Sequence, residues 1–165
     1  MQKLLAILVI IAIPVFYFLY VYENGMSLYS VVTQDEGSIV RVGNVPVRVE
    51  VADTDTLRGR GLGGRDSLGA TNGMLFIFDK SDYHRFWMKD MRLLIDIIWI
   101  SEDLRVVDIT RSIAPDTYPQ IFEPSVPARF VLETNANYAE SFGIAIGDVV
   151  TLPEELIPAD LRTKE

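Results

Sequence analysis

The sequence predicts a mainly β domain, a single sandwich or barrel with one or two short helices, preceded by an N-terminal transmembrane helix. Short apolar runs are separated by turn signals at intervals of roughly 8–12 residues, which is typical of strands in sandwiches and barrels. Valines at positions 45, 47, 49 and 51 alternate with other residues, the period of a half-buried strand. Segment 4–22 contains no charged residue. The 165 residues leave room for one domain and an appendage.

Segment 4–22 has the length of a transmembrane helix. As a helix it extends about 28 Å, close to the thickness of a bilayer's hydrocarbon core. Lys3 precedes it and Glu23 follows it, so the positive-inside rule places the N-terminus in the cytoplasm and the domain outside, in the periplasm or beyond the cell. A cleaved signal peptide is the alternative, although the run exceeds the usual apolar length of roughly 7–15 residues. The anchor interpretation makes the lipid bilayer a partner of segment 4–22.

The chain divides into a transmembrane anchor or signal segment (1–23), a linker (24–38), a β-rich exported domain (39–152) and a charged tail (153–165) that we expect to be loosely held. The part after the anchor has 14 basic and 23 acidic residues, and this acidity argues against nucleic acid as a partner. Without cysteine, disulfides and thiolate zinc sites are excluded. With His84 as the one histidine, the sequence predicts no metal and no cofactor.

The first elements of the exported domain are a hairpin and a short helix. Segment 39–42 precedes a turn at 43–44 and then the valine-rich strand. Pro46 has no N–H group to donate, so it indicates the beginning of that strand or a sheet edge. Several helix N-caps occur at 53–56, and the glycines of 58–65 predict that this helix ends early.

The stretch 73–100 is the centre of the domain, because it holds both tryptophans, the histidine and three apolar runs. These runs predict strands, with a polar turn at 79–82. Segment 114–127 carries four prolines and predicts a long irregular loop. The predicted strands of this half of the chain lie at 74–78, 86–89, 93–100, 106–113, 129–134 and 149–152, with a short helical turn at 138–142.

Three arginines, Arg58, Arg60 and Arg65, alternate with glycines in segment 58–65. Such a segment can cradle an anion, because backbone N–H groups and guanidinium forks bind carboxylates and phosphates. Alternatively, it is a surface turn whose arginines pair with the surplus acids of the domain. Arg65 is the candidate ligand-binding residue in this segment.

Two carboxylates, Asp96 and Glu133, lie within apolar strand sequences. In a functional interpretation they act across a cleft as acid and base, with burial raising one pKa. In a structural interpretation, Asp96 accepts hydrogen bonds from backbone amides of a neighbouring loop and Glu133 forms an ion pair with Lys89 or Arg65.

Trp87 and Lys89 complete the set of candidate ligand-binding residues. Trp87 can stack on a sugar or another flat ligand, or it can fill the core. Lys89 lies two residues further along an extended strand, on the same face, where it adds a polar contact. No catalytic residue is assigned, and an enzyme is the less favoured class. The candidates are Arg65, Trp87, Lys89, Asp96 and Glu133.

Several motifs, in the same order and spacing, resemble the prokaryotic family called domain of unknown function 192. They lie at 61–65, 73–76, 86–89, 95–98, 131–133 and 147–148. The resemblance covers about 39–152 and implies a compact jelly-roll type of β-sandwich, often behind a signal or membrane segment, with no established activity. The resemblance also implies five departures from the family pattern. The family usually has methionine at Gly63, asparagine and threonine at Asp90 and Met91, proline at Leu94 and glycine at Asn137.

Three functions are compatible with these features. A membrane-anchored extracytoplasmic module for a small polar or carbohydrate-like ligand requires Trp87, Lys89, Asp96 and Glu133 to converge on one pocket. An accessory domain that docks on another envelope protein requires an exposed apolar patch, for example near the proline-rich loop, and no polar cleft. A hydrolase using Asp96 and Glu133 requires their carboxylates about 5–9.5 Å apart if it acts on glycosides.

Overall fold

The computed structural model of the chain describes residues 37–162. The predicted anchor and segment 24–36 of the predicted linker lie outside this range. Among the described residues, no helix has the length and apolar character needed to cross a bilayer. The strands are β1 Ser38–Val42, β2 Val45–Ala52, β3 Asn72–Asp82, β4 Phe86–Trp87, β5 Ile95–Ile100, β6 Val106–Ile113, β7 Ile121–Phe122, β8 Ala128–Asn135 and β9 Val150–Thr151. The helices are α1 Asp55–Arg60 and α2 Tyr138–Ser141, with 3-10 turns at Pro115–Thr117 and Glu154–Leu156.

Seven strands form one curled sheet in the order β6-β5-β8-β3-β2-β1-β9, and β4 and β7 form a separate ribbon. The neighbours in the sheet are antiparallel except for β2 and β3, which are parallel and are connected through α1. The curl brings the two sheet edges together at one end, where Arg105 and Val149 form an isolated antiparallel bridge. The predicted mainly β fold with short helices is therefore confirmed in the form of a curled half-barrel.

The hairpin and the first helix form as the sequence predicts. Val42 pairs with Val45 across a turn in which Gly43 has a φ of 57°, a conformation that glycine adopts without strain. Pro46 is the second residue of β2 and precedes Arg48, where β2 begins to pair with β3. The prediction that Pro46 lies at the beginning of a strand is confirmed. Thr54 caps α1, since its Oγ1 accepts a hydrogen bond from the Leu57 N–H at 3.3 Å.

Three predictions about irregular segments are wrong. The polar turn at 79–82 belongs to β3, which continues through an irregularity in its register with β8 between Ile77 and Asp82. A bulge of this kind absorbs residues that do not fit the ladder. The proline-rich loop contains β7, which pairs with β4. The tail is packed as far as it is described, because Leu156, Ile157 and Leu161 contact the core.

Both faces of the sheet are covered. Successive side chains of β8 point to one face and then to the other. Phe130 and Leu132 belong to one apolar cluster, here called the closed face, with Leu75 and Ile98. Tyr138, Ala139 and Ile144 from the α2 region cover this face. The other cluster, here called the open face, contains Phe76, Ile97, Trp99 and Val131. The β4–β7 ribbon covers the open face through Phe86 and Phe122.

Candidate functional site

Glu133 lies on the open face of the sheet, where its cross-strand neighbours are Met74 in β3 and Ile97 in β5. Its side chain is buried between these apolar neighbours, and its Oε2 atom has no hydrogen-bond partner among the described residues. Desolvation by burial raises the pKa of Glu133 to about 8. The carboxyl group is therefore mostly protonated at neutral pH.

A cavity of about 170 Å³ adjoins Glu133. This volume is comparable to the roughly 150 Å³ of an engineered protein cavity that binds benzene. Besides Glu133, the lining is made of cationic, aromatic, aliphatic and glycine residues: Arg58, Arg60, Arg85, Lys89, Phe76, Phe78, Phe86, Trp87, Leu62, Met91, Gly59 and Gly61. The site is large enough for one small ring and combines positive charge with aromatic surface.

Arg58 is held in place by the surrounding backbone. Its Nη1 donates hydrogen bonds to the carbonyl oxygens of Asp53 and Ile77, both at 2.7 Å, and its Nη2 contacts the Asp55 carboxylate at 2.6 Å. The guanidinium also lies 5.3 Å from the ring centre of Phe78. Arg58 therefore forms a fixed wall of the cavity.

The other three cations of the cavity, Arg60, Arg85 and Lys89, are exposed at its rim. None of the three forms an ion pair within residues 37–162. Positive charge is thus available at this cavity although the protein as a whole has a formal net charge of −8. Low-dielectric walls strengthen the attraction of such a cluster for anions.

Aromatic contacts fix the shape of the cavity walls. Phe86 packs edge-to-face against Phe76 and Trp99, with ring centres 4.9 and 5.3 Å apart. His84 stacks on Phe78, and desolvation by burial lowers the pKa of His84, so the imidazole is mostly neutral at pH 7. Trp87 differs from these rings because 55% of its surface is exposed, which places it at the mouth of the cavity.

Asp96 lies on the closed face, away from the cavity. Its Oδ1 accepts hydrogen bonds from the backbone N–H groups of Ser112 at 2.8 Å and Asn137 at 3.1 Å, and its Oδ2 accepts one from Ala139 at 3.0 Å. The prediction that Asp96 accepts hydrogen bonds from backbone amides is confirmed, but the donors lie in β6 and at the start of α2 rather than in one neighbouring loop. The carboxylate is fully buried and satisfied.

The register of β5 and β8 separates the two predicted carboxylates. Asp96 pairs with Thr134, whereas Glu133 pairs with Ile97, and successive residues of a strand point to opposite faces. Asp96 and Glu133 therefore cannot act together on one substrate. The hypothesis of a hydrolase that uses both as an acid–base pair is wrong.

Arg65 forms a two-point ion pair with Glu50, with nitrogen–oxygen distances of 2.5 and 2.6 Å. The alternative in which the arginines of segment 58–65 pair with acids of the domain thus holds for Arg58 and Arg65. The predicted ion pair of Glu133 with Lys89 or Arg65 is wrong, because no such contact is present in the described part of the chain.

The structure brings three of the five candidates together at the cavity: Trp87, Lys89 and Glu133. It places Arg65 and Asp96 elsewhere. Sequence reasoning missed Arg85 and the phenylalanine walls. The available signal was Arg85 directly before Phe86 and Trp87, a basic residue next to two aromatic ones.

Comparisons with known proteins place the domain in a family. The family model of domain of unknown function 192, described as "Uncharacterized ACR", matches residues 38–152. Among the solved structures, a proposed transcription regulator from Sinorhizobium meliloti 1021 is 26% identical, with a TM-score of 0.65 over 70% of this chain and 92% of that one. A protein of unknown function from Novosphingobium aromaticivorans DSM 12444 is 31% identical, with a TM-score of 0.64 over 68% of this chain and 83% of that one. Among curated proteins, none matches. The chain therefore belongs to the domain of unknown function 192 family.

Proposed function

We propose that the chain is a membrane-anchored extracytoplasmic binding module that takes a small polar ligand in the cavity beside Glu133. The observation that carries this proposal is the buried Oε2 of Glu133, a residue that lines the cavity: this atom has no hydrogen-bond partner within residues 37–162. A buried polar atom without a hydrogen bond costs about 1–3 kcal/mol. Folded proteins retain few such atoms, and a ligand that bonds to Glu133 would offset this cost.

The location rests on the uncharged segment 4–22 and on Lys3 before it. A single apolar span with positive charge on its N-terminal side orients the following domain away from the cytoplasm. The description of the Sinorhizobium meliloti protein as a regulator of transcription is not extended to this chain, because the acidic domain disfavours contact with phosphate backbones.

Docking on another envelope protein is the second candidate function. It is supported by exposed apolar side chains on and around the β4–β7 ribbon, namely Trp87, Tyr118, Ile121 and Val126. Apolar side chains grouped on a surface are typical of sites of protein association. Trp87 belongs to both candidate sites, so a ligand in the cavity and a docked partner would compete.

The test is a thermal-shift screen of the full-length protein in detergent against a library of small polar compounds. We expect some compounds to raise the melting temperature of the wild type and to have less effect on a Trp87→Ala variant, since Trp87 is at the mouth of the cavity. Arg92→Gln is the matched control, because Arg92 is exposed and pairs with Asp66. A library without any stabilising compound would count against the binding module.

A further inference from the structure

Resting on the proposed function, we infer that the ligand of the cavity is a small planar organic carboxylate, with its charged group among the rim cations and its ring against the aromatic walls. This class of ligand is narrower than the one expected from the sequence, which was any small polar or carbohydrate-like molecule.

The hydrogen-bonding character of the lining disfavours neutral sugars. The guanidinium groups of Arg60 and Arg85 and the ammonium group of Lys89 can only donate hydrogen bonds. Glu133 in its protonated form adds an O–H donor. A ligand that suits this lining must bring acceptors. A carboxylate brings acceptors only, whereas each hydroxyl of a sugar also brings a donor that needs an acceptor in the cavity.

The apolar part of the lining indicates a flat body. Phe76, Phe78, Phe86 and Trp87 contribute ring surfaces to a cavity of about 170 Å³. A space of this size accommodates one six-membered ring, as a benzene-binding cavity of about 150 Å³ shows. Rings in such surroundings gain from offset or edge-to-face contacts in addition to the burial of apolar area.

The charges around Glu133 favour an anion over a cation. Its neighbours in β3 and β5, Met74 and Ile97, are uncharged. Among the residues that the structure describes, the other charged groups lining the cavity are cationic: Arg58, Arg60, Arg85 and Lys89. An incoming carboxylate would therefore meet positive charge at the rim and a neutral acid at the base. It would also oppose ionisation of Glu133, so binding and retention of this proton would favour each other.

The experiment measures dissociation constants of the full-length protein in detergent by calorimetry with four probes: benzoate, benzamide, glucuronate and glucose. Benzamide is the neutral counterpart of benzoate, and glucose is that of glucuronate. We expect benzoate to bind at least about tenfold more tightly than benzamide, and more tightly than either sugar, because only benzoate combines charge with a flat apolar ring.

Variants locate the binding to the cavity. Lys89→Gln removes one unpaired rim cation and is expected to raise the dissociation constant of benzoate about fivefold, the size of one exposed charge contact. The matched control Arg92→Gln should leave it unchanged, because Arg92 pairs with Asp66 and does not line the cavity.

The possible outcomes separate the inference from the proposed function. If benzoate binds most tightly, and Lys89→Gln weakens its binding while Arg92→Gln does not, both the inference and the proposed function are supported. Equal binding of benzoate and benzamide, or binding of glucose without benzoate, overturns the inference and leaves the binding module standing. If none of the four probes binds while the thermal-shift library yields only ligands that are not planar carboxylates, the inference again fails alone. If the library also yields no ligand, both the inference and the proposed function fail.

Discussion

Asp96 and Glu133 are neighbours in the sheet but have opposite surroundings. Both are buried carboxylates, on adjacent strands β5 and β8, one position apart in the register. Asp96 accepts three backbone N–H groups on the closed face. Glu133 faces the cavity on the open face, and one of its oxygens has no hydrogen-bond partner in the described part of the chain. The comparison shows that burial alone does not identify a functional acid in this fold, and that hydrogen-bond satisfaction separates the structural carboxylate from the candidate one.

The largest effect is expected from Glu133→Gln on the pH dependence of stability. Folding raises the pKa of Glu133 from 4.5 to about 8. Below pH 4.5 the carboxyl is protonated in both the folded and the unfolded state. As the pH rises towards 8, the unfolded state ionises and the folded state does not. The wild type should therefore lose up to about 5 kcal/mol of unfolding free energy over this interval relative to Glu133→Gln.

Urea denaturation of both proteins at several pH values between 4.5 and 8 measures this difference. Taking the difference between wild type and variant removes contributions from other acids, such as Glu50 and Asp108, whose pKa values are lowered in the folded state. Parallel stability curves for the two proteins would show that burial does not raise the pKa of Glu133.

The next effect in size is expected from Asp96→Asn. The amide has one acceptor oxygen where the carboxylate has two, and its NH₂ group would face backbone donors. We expect a loss of about 3 kcal/mol of unfolding free energy, because hydrogen bonds to a charged acceptor are worth roughly 1.5–3 kcal/mol each. Benzoate affinity should not change, since Asp96 lies on the closed face. A variant of normal stability with reduced affinity would reverse the roles assigned to the two carboxylates.

The smallest effect is expected from Arg65→Lys. The Arg65–Glu50 pair is partly exposed, with 33% and 54% of the two side chains accessible. Pairs of this kind contribute about 1 kcal/mol or less, so the unfolding free energy should fall by no more than this amount. Affinity for benzoate should stay at the wild-type value in calorimetry. A drop in affinity comparable to that of Lys89→Gln would show that Arg65 contributes to ligand binding.

The sequence was sufficient for the local elements of this fold. Valine alternation predicted β2, and the several N-cap residues at 53–56 predicted α1. Within the predicted strand 129–134, the period of two puts Phe130 and Leu132 on one face and Glu133 on the other. The face on which a side chain lies does not show whether its polar atoms have hydrogen-bond partners. The residues that donate hydrogen bonds to Asp96 lie 16, 41 and 43 positions away in sequence. Only tertiary packing brings them close to its carboxylate.

Two departures from the family pattern have a conformational explanation that only the structure provides. Asn137 stands where the family commonly has glycine, and its φ is 64°. Asp90 stands where the family commonly has asparagine, and its φ is 58°. Asparagine and aspartate tolerate this left-handed region better than most residues. Both substitutions therefore preserve the backbone beside Asp96 and beside the cavity.

The meeting of the two sheet edges restricts how this domain can associate with other proteins. One edge strand, β9, has only two residues, and it is joined to the start of the other edge through Arg105 and Val149. The longer edge strand, β6, takes part in this closure at its first residue, where the Val106 N–H donates a hydrogen bond to the Asp148 carbonyl oxygen at 2.9 Å. Short or covered edges offer little template for an added strand. At the end where the two edges meet, the backbone groups around Arg105 and Val149 are already paired and are not available to a strand from another copy of the domain.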